Sequence, residues 1–336
     1  MGGRNSSEVD VLKMRAGLAN LLPLYTIMSA FWCILATIPQ FELLGRFLIF
    51  TEVARSFPWA LLLNIWILLL LTIIHRGSVG QIYVVTNGTV SFVTSAVFLL
   101  RLYPFYIVPL GTNAPSPRSH AFSVVVANAE FGWHSAAQLM QACPTPPDIL
   151  VVSEATFSWG NDPALEQYPY KFEMLGKGAE GTAIYSMRPI KSSAPINVRG
   201  MFNTLTADID FGDETLTVLA LHAPPPQWDL TQRYRRMYLT AVGDYLRSRP
   251  NAKILIAGDL NTTPFSTTYN HFVEMNGLKN AASGFGLVNT WHVRDLGLLG
   301  AAIDHVFYRN LSGISSVKTL PSFGSDHLPL LVEGVI

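Results

Sequence analysis

Ile254-Leu255-Ile256-Ala257-Gly258-Asp259-Leu260-Asn261-Thr262-Thr263-Pro264-Phe265 is the stretch whose reading decides the fold. Lys253 to Ala257 is a short, apolar, β-branched run of the kind that forms a buried strand, and Gly258 interrupts it just before two oxygen-bearing side chains. Asp259 and Asn261 therefore sit at a strand end. Two residues apart in an extended chain means the same face, so both should point into one pocket able to take a hard cation or an attacking water. A turn capped by Asp and Asn, which Pro264 also suits, is the alternative reading of these residues taken alone.

The same grammar recurs along the chain. Ser123–Ala127 leads into Asn128-Ala129-Glu130, and Asp148–Ser153 leads into Glu154. Ile303-Asp304-His305 and Gly324-Ser325-Asp326-His327-Leu328-Pro329 each set Asp or His beside apolar residues. Taken together, and with Gly-Asp-Leu-Asn preceding Ser-Asp-His-Leu-Pro, residues from about Ala121 to Ile336 resemble the endonuclease/exonuclease/phosphatase superfamily. That group includes DNase I-like nucleases, inositol-polyphosphate phosphatases and neutral sphingomyelinases. The resemblance implies an α+β fold, a four-layer αββα sandwich of two packed mixed β-sheets flanked by helices, with the motifs converging at one edge.

It also implies roles. Asn128 and Glu130 match the family's first motif near the metal, and Glu154 matches the carboxylate that binds the divalent cation, Mg²⁺ or in its place Mn²⁺. A hard Mg²⁺ takes one or two protein carboxylates and keeps several waters, so Glu154 with little else is chemically sufficient. His222, held by Pro224-Pro225-Pro226, matches the position that contacts the scissile phosphate. Asp259 and Asn261 match the pair that positions water and phosphate. Asp326 and His327 match the terminal motif, and Asp304 matches the acid that orients the histidine. A carboxylate on one imidazole nitrogen fixes the tautomer and raises the basicity of the other. The reaction implied is metal-assisted attack of water on phosphorus, with His327 or Asp259 taking the proton.

Gly176-Lys177-Gly178-Ala179-Glu180-Gly181 fits a dinucleotide-binding fingerprint, but a strand-like run follows where a helix is required, so that reading fails. Asn261-Thr262-Thr263 fits a glycosylation sequon, and a sugar there would block the site. Two cysteines, Cys33 and Cys143, neither pair up in a framework nor offer zinc-ligand spacing.

Hydrophobic residues are 49% of the 336 and charged ones only 14%, and the imbalance is local. Four of the 23 acidic and eight of the 23 basic residues precede Ser119. Residues 1–16 read as a tail and 17–110 as a transmembrane region with helices at about 18–38, 58–74 and 84–108. About 20 apolar residues cross a bilayer core. The third span is the weakest, because it holds Asn87, Gly88, Arg101 and Pro104. Residues 111–120, rich in Pro, Ser and Asn, form the linker to the catalytic domain at 121–336. Flanking basic residues favour an inside N-terminus by four against three, which with three spans puts the domain outside the cytoplasm. The layout resembles that of bacterial membrane-bound members of the superfamily.

From Ser119 onward 15 Lys and Arg stand against 19 Asp and Glu, a net charge of −4. Nucleic-acid binders draw most of their affinity from basic surfaces, so DNA and RNA are not the expected partners. The expected partners are the bilayer and a lipid-linked phosphate, whose head group a membrane tether concentrates at the site. Trp159, Trp228 and Phe265 lie on loops beside the motifs, with Trp159 and Trp228 the candidates to flank substrate. Arg233, Arg235 and Arg236 are candidates to meet anionic head groups. A membrane-tethered nuclease and a non-enzymatic scaffold on the same fold are the competing readings.

Overall fold

A computed structural model describes residues 21–33, 58–74, 81–107, 120–196, 204–225, 229–292 and 300–336, and these divide into two units at Leu102/Tyr103. The expected tail, most of the linker and Trp228 lie outside the described residues.

The first unit is helical: α1 (Leu21–Cys33), α2 (Pro58–Ile74) and α3 (Gln81–Tyr106). Only α3, with 26 residues, is long and apolar enough to cross a membrane among the described residues; α1 and α2 are shorter apolar helices. The described part of α2 holds 17 residues, which rise about 26 Å against a hydrocarbon core of about 30 Å.

This unit buries polar side chains beside apolar ones such as Leu61, Ile65, Leu68 and Phe98. Thr26, Ser29, Thr72, Asn87, Ser91 and Thr94 are buried, while Leu24, Phe31, Trp66, Leu70, Ile82, Phe92 and Leu100 are exposed. The Asn87 amide nitrogen donates to Thr72 Oγ1 at 2.8 Å and Thr26 Oγ1 at 3.2 Å, and the Tyr25 hydroxyl donates to Asn64 Oδ1 at 2.7 Å. Helices associate this way where the surroundings are apolar and polar groups have only each other.

The second unit contains, in chain order, β1 (Ala121–Asn128), α4 (Ala136–Ala142), β2 (Ile149–Ser153), α5 (Phe157–Gly160), β3 (Tyr170–Met174), β4 (Thr182–Ser186), β5 (Ile190–Ile196), β6 (Thr204–Asp210) and β7 (Thr215–His222). There follow α6 (Asp229–Ser248), β8 (Lys253–Asp259), α7 (Thr267–Met275), β9 (Lys279–Asn280), β10 (Trp291–His292), β11 (Gly300–Ala301), β12 (Asp304–Arg309), β13 (Gly313–Thr319) and β14 (Leu330–Val335).

Two six-stranded sheets result, ordered β13-β14-β1-β2-β4-β3 and β5-β6-β7-β8-β12-β9. Both are mixed: β1/β2 and β7/β8 run parallel and their neighbours antiparallel.

Strand alternation builds the layers. Val124, Val126, Val151 and Ile184 of one sheet pack with Ala207, Val218, Leu255, Ala257 and Val306 of the other. The odd partners Val125, Ala127, Leu150 and Val152 face outward under Leu139 of α4 and Trp159 of α5. Leu219, Leu221, Ile254 and Ile256 likewise meet Tyr238, Val242 and Leu246 of α6 and Phe272 of α7. Near-continuous apolar strands are what a sheet covered on both faces requires. Helices, sheet, sheet and helices are thus the four layers that the resemblance implied.

Candidate active site

The parallel pair β7/β8 and the antiparallel pair β8/β12 set His222, Asp259 and Asp304 opposite one another in a single row. From the other sheet, β1 ends at Asn128 and β2 runs into Glu154, while the loop before β14 supplies Ser325 to His327. The site therefore forms where the two sheets meet.

Backbone geometry marks it. Of the five non-glycine residues with positive φ among the described residues, Glu130, Phe131, Glu154 and Asn261 lie in these loops. Such conformations cost about 1–3 kcal/mol each and persist where the surroundings enforce them. Gly258, at φ 141°, allows β8 to pass Leu221: a Cβ would lie 2.0 Å from the Leu221 carbonyl oxygen.

The contacts form one path. His327 Nδ1 donates to Asp304 Oδ2 at 2.7 Å, and its Nε2 lies 4.0 Å from Asp259 Oδ2. The Asn128 amide nitrogen bridges Asp259 Oδ2 and Glu154 Oε1, at 3.2 Å each, so it ties the two sheets together. His222 Nε2 lies 3.7 Å from Glu154 Oε1, and the Phe131 N–H donates to Glu154 Oε2 at 2.8 Å. Asn261 donates its backbone N–H to Asp259 Oδ1 at 2.7 Å and its amide to Asp259 Oδ2 at 3.2 Å. It reaches that carboxylate from a left-handed turn, since the strand ends at Asp259; the extended-chain argument located the pair but not its geometry.

Electrostatics follows from burial. Asp259 is 1% exposed, and burial together with the nearby Asp304 charge pushes its carboxyl up to about 8. Burial opposes charge on His327, but Asp304, Asp259 and Asp326 outweigh it and push the imidazole up to about 10. Burial likewise opposes charge on Asp304, yet the His327 cation and hydrogen bonds from His327 and Thr290 hold it below the usual carboxylate range. Burial pushes His222 down.

The metal assignment changes in detail. One ligand atom each from Asp259, Asp304 and His327 lie within 4.8 Å of one another, a spacing that could hold an ion. Of the residues the sequence placed at the metal, Glu154 borders this path. Glu130 Oε2 accepts from the Asp326 N–H and from His134 Nε2, at 3.1 Å each, while Asp326 Oδ2 accepts from Trp291 Nε1 at 2.8 Å and its Oδ1 lies 3.9 Å from His327 Nε2.

Trp159, expected to flank substrate, is 1% exposed and belongs to the core under β2, because α5 turns its ring inward. Phe265 is also buried. Arg235 does not meet solvent: it is 2% exposed, and one guanidinium nitrogen donates to the Asn261 carbonyl at 2.7 Å, holding the turn after Asp259. Ser325, given no role in the sequence, donates its hydroxyl to the Asn128 carbonyl at 2.8 Å and accepts from the His327 N–H at 3.1 Å.

A family profile described as the Endonuclease/Exonuclease/phosphatase family matches residues 127–327, more than half of the chain. Comparison with curated proteins gives no match. Among solved structures, the chain is similar to an AP endonuclease from Archaeoglobus fulgidus at 15% identity, covering 63% of this chain and 98% of that one, with a TM-score of 0.50. A 3′ phosphatase from Neisseria bound to product DNA hairpin (16%; 63% and 99%; 0.49) and sphingomyelinase C from Streptomyces griseocarneus (16%; 64% and 99%; 0.47) are also similar. At these identities the likeness concerns the fold.

Proposed function

The chain belongs to the Endonuclease/Exonuclease/phosphatase family, and on that footing we propose that it is a membrane-anchored, divalent-metal-dependent hydrolase of a lipid-linked phosphate, phosphodiester or pyrophosphate. The observation that carries the hydrolytic reading is the contact path Asp304, His327, Asp259, Asn128, Glu154, drawn from both sheets.

The donor set fits a hard cation. Glu154, Asp259 and Asp304 bring three carboxylates together with His327 as the facing cation, and oxygen ligands suit Mg²⁺ or Mn²⁺. Glu154, which accepts from the Asn128 amide, would hold the ion, since Asp304 is engaged by His327 and Asp259 faces the water. Such an ion supplies Lewis-acid polarisation of the phosphoryl group and neutralises its oxygens.

The protein's own groups divide the rest. With Asp304 on Nδ1 and its pKa pushed up to about 10, His327 is an imidazolium at neutral pH. Its Nε2–H would donate to a phosphoryl oxygen. Asp259, whose carboxyl is pushed up to about 8, would accept the proton in its ionised form, which a nearby cation favours, as the water oxygen bonds to phosphorus and the leaving oxygen departs with the electron pair of its bond. Asn128, Asn261 and His222 position the phosphoryl oxygens.

The lipid-linked substrate is supported by the outward apolar surface of α1 to α3 and by the net charge of −4 from Ser119 onward. Anchorage through three spans, and hence a domain outside the cytoplasm, is part of the same proposal.

The test is phosphate release by the detergent-purified full chain from a panel of lipid phosphates, phosphodiesters and pyrophosphates, with DNA alongside, in Mg²⁺ or EDTA. Metal-dependent release from a lipid, lost in His327→Ala, is the expected result. Cleavage of DNA alone would replace the substrate, and inactivity on every substrate would favour a scaffold.

A further inference from the structure

Phe131, Trp133 and Phe157 are 48%, 72% and 55% exposed, although each belongs to a loop or turn that carries the site. Phe131 and Trp133 follow Asn128 at the end of β1, and Phe157 follows Glu154 at the end of β2. The rings of Phe131 and Trp133 pack with centroids 5.5 Å apart.

The loop that presents them is fixed. Glu130, Phe131 and Gly132 have φ values of 47°, 57° and 69°, an uninterrupted left-handed run that a bulky residue adopts only when held there. Backbone bonds hold it, from the Glu130 N–H to Asn128 Oδ1, the Gly132 N–H to the Ala129 carbonyl, the Trp133 N–H to the Glu130 carbonyl and the Phe131 N–H to Glu154 Oε2. Gly132 also lies against Thr156, the residue before α5: a Cβ there would be 2.0 Å from Thr156 Oγ1. That close approach joins the two loops, so Phe157 and the Phe131/Trp133 pair share one rim beside Glu154.

We propose that this aromatic rim seats in the interfacial layer of a lipid bilayer and delivers the head-group phosphate to the site. The proposal rests on the lipid-linked reading above. Phe and Trp at rigid loop tips suit the membrane–water boundary, where an apolar ring meets a polar fringe. The domain's net negative charge gives it no general electrostatic hold on anionic surfaces, so attachment falls to apolar contact. The chain also carries helices whose apolar side chains face outward, so a bilayer is the surface at hand.

The test uses the full chain reconstituted in phosphatidylcholine vesicles, with and without brominated acyl chains. The emission of Trp133 is read as the difference between the wild type and Trp133→Phe. Quenching of that difference signal by at least about twofold is expected for a ring at the interface. An equal signal in both vesicles overturns the proposal and leaves the rim to solvent or to a protein.

A second measurement concerns turnover. Trp133→Ala/Phe157→Ala should slow hydrolysis of a lipid-presented phosphate about tenfold, through lost apolar contact, while a water-soluble phosphodiester is cleaved as before. Equal loss on both substrates would overturn the delivery role. Quenching does not depend on catalysis, so a chain that hydrolyses no lipid refutes the substrate reading while the vesicle signal still decides the rim.

Discussion

Asp304 acts on the reaction through His327, and the two can be separated by pH. Asp304→Asn removes the charge that keeps Nε2 protonated, so kcat should fall about a hundredfold to ten-thousandfold. The alkaline limb of the rate profile should also move from about 10 toward neutral pH. A purely structural role would lower the rate without moving that limb.

His305, one residue on, faces away from this chemistry. Its ring is 4% exposed, its Nε2 meets the Thr262 carbonyl at 2.9 Å, and burial pushes it down to about 4. A folded-state value below the unfolded 6.5 means that its contribution is present above 6.5 and is lost as pH falls through 4. The stake is on the order of 3 kcal/mol. His305→Gln should flatten the acid limb of a denaturation midpoint measured against pH; an unchanged limb would refute this. Asn128, Glu154, His222, Asp259, Asp304 and His327 could be singled out in the sequence because their motifs, set beside apolar runs, resemble those of the family. Arg235 and Ser325 were not, since each acquires its role only when a distant segment folds against it.

At the level of elements, strand alternation was readable and ring direction was not. Trp159 lies on a loop-like segment beside a motif, yet four residues of helix suffice to turn it into the core. Helix α6, Asp229–Ser248, carries Tyr238, Val242 and Leu246 at helical spacing, which declares the face it packs on. The strand crossing at Gly258 makes a sharper prediction. Gly258→Ala would force a Cβ onto the backbone of Leu221, which cannot yield as a flexible side chain would. A loss of more than about 2 kcal/mol is expected in chemical denaturation, with a fall in kcat because Asp259 follows directly. Wild-type stability in this variant would show that β7 and β8 can separate locally at little cost.

At the scale of the molecule, the two units are written in opposite dialects. From β1 onward apolar side chains are drawn inward, whereas α1 to α3 leave many of them outward and bury Asn, Ser and Thr beside Leu61, Ile65, Leu68 and Phe98. Composition shows that the first third is apolar, but not which way its side chains point. The catalytic unit carries a further consequence in its seam. Asn128 and Glu154 come from one sheet and Asp259 and Asp304 from the other, so the reacting groups are complete only while the halves stay docked. Turnover is then a built-in reporter of that docking. In a urea titration activity should vanish before far-ultraviolet circular dichroism changes, as the halves slip by an ångström or two while each keeps its own strands. Coincident curves would mean that the sandwich comes apart and unravels in one event.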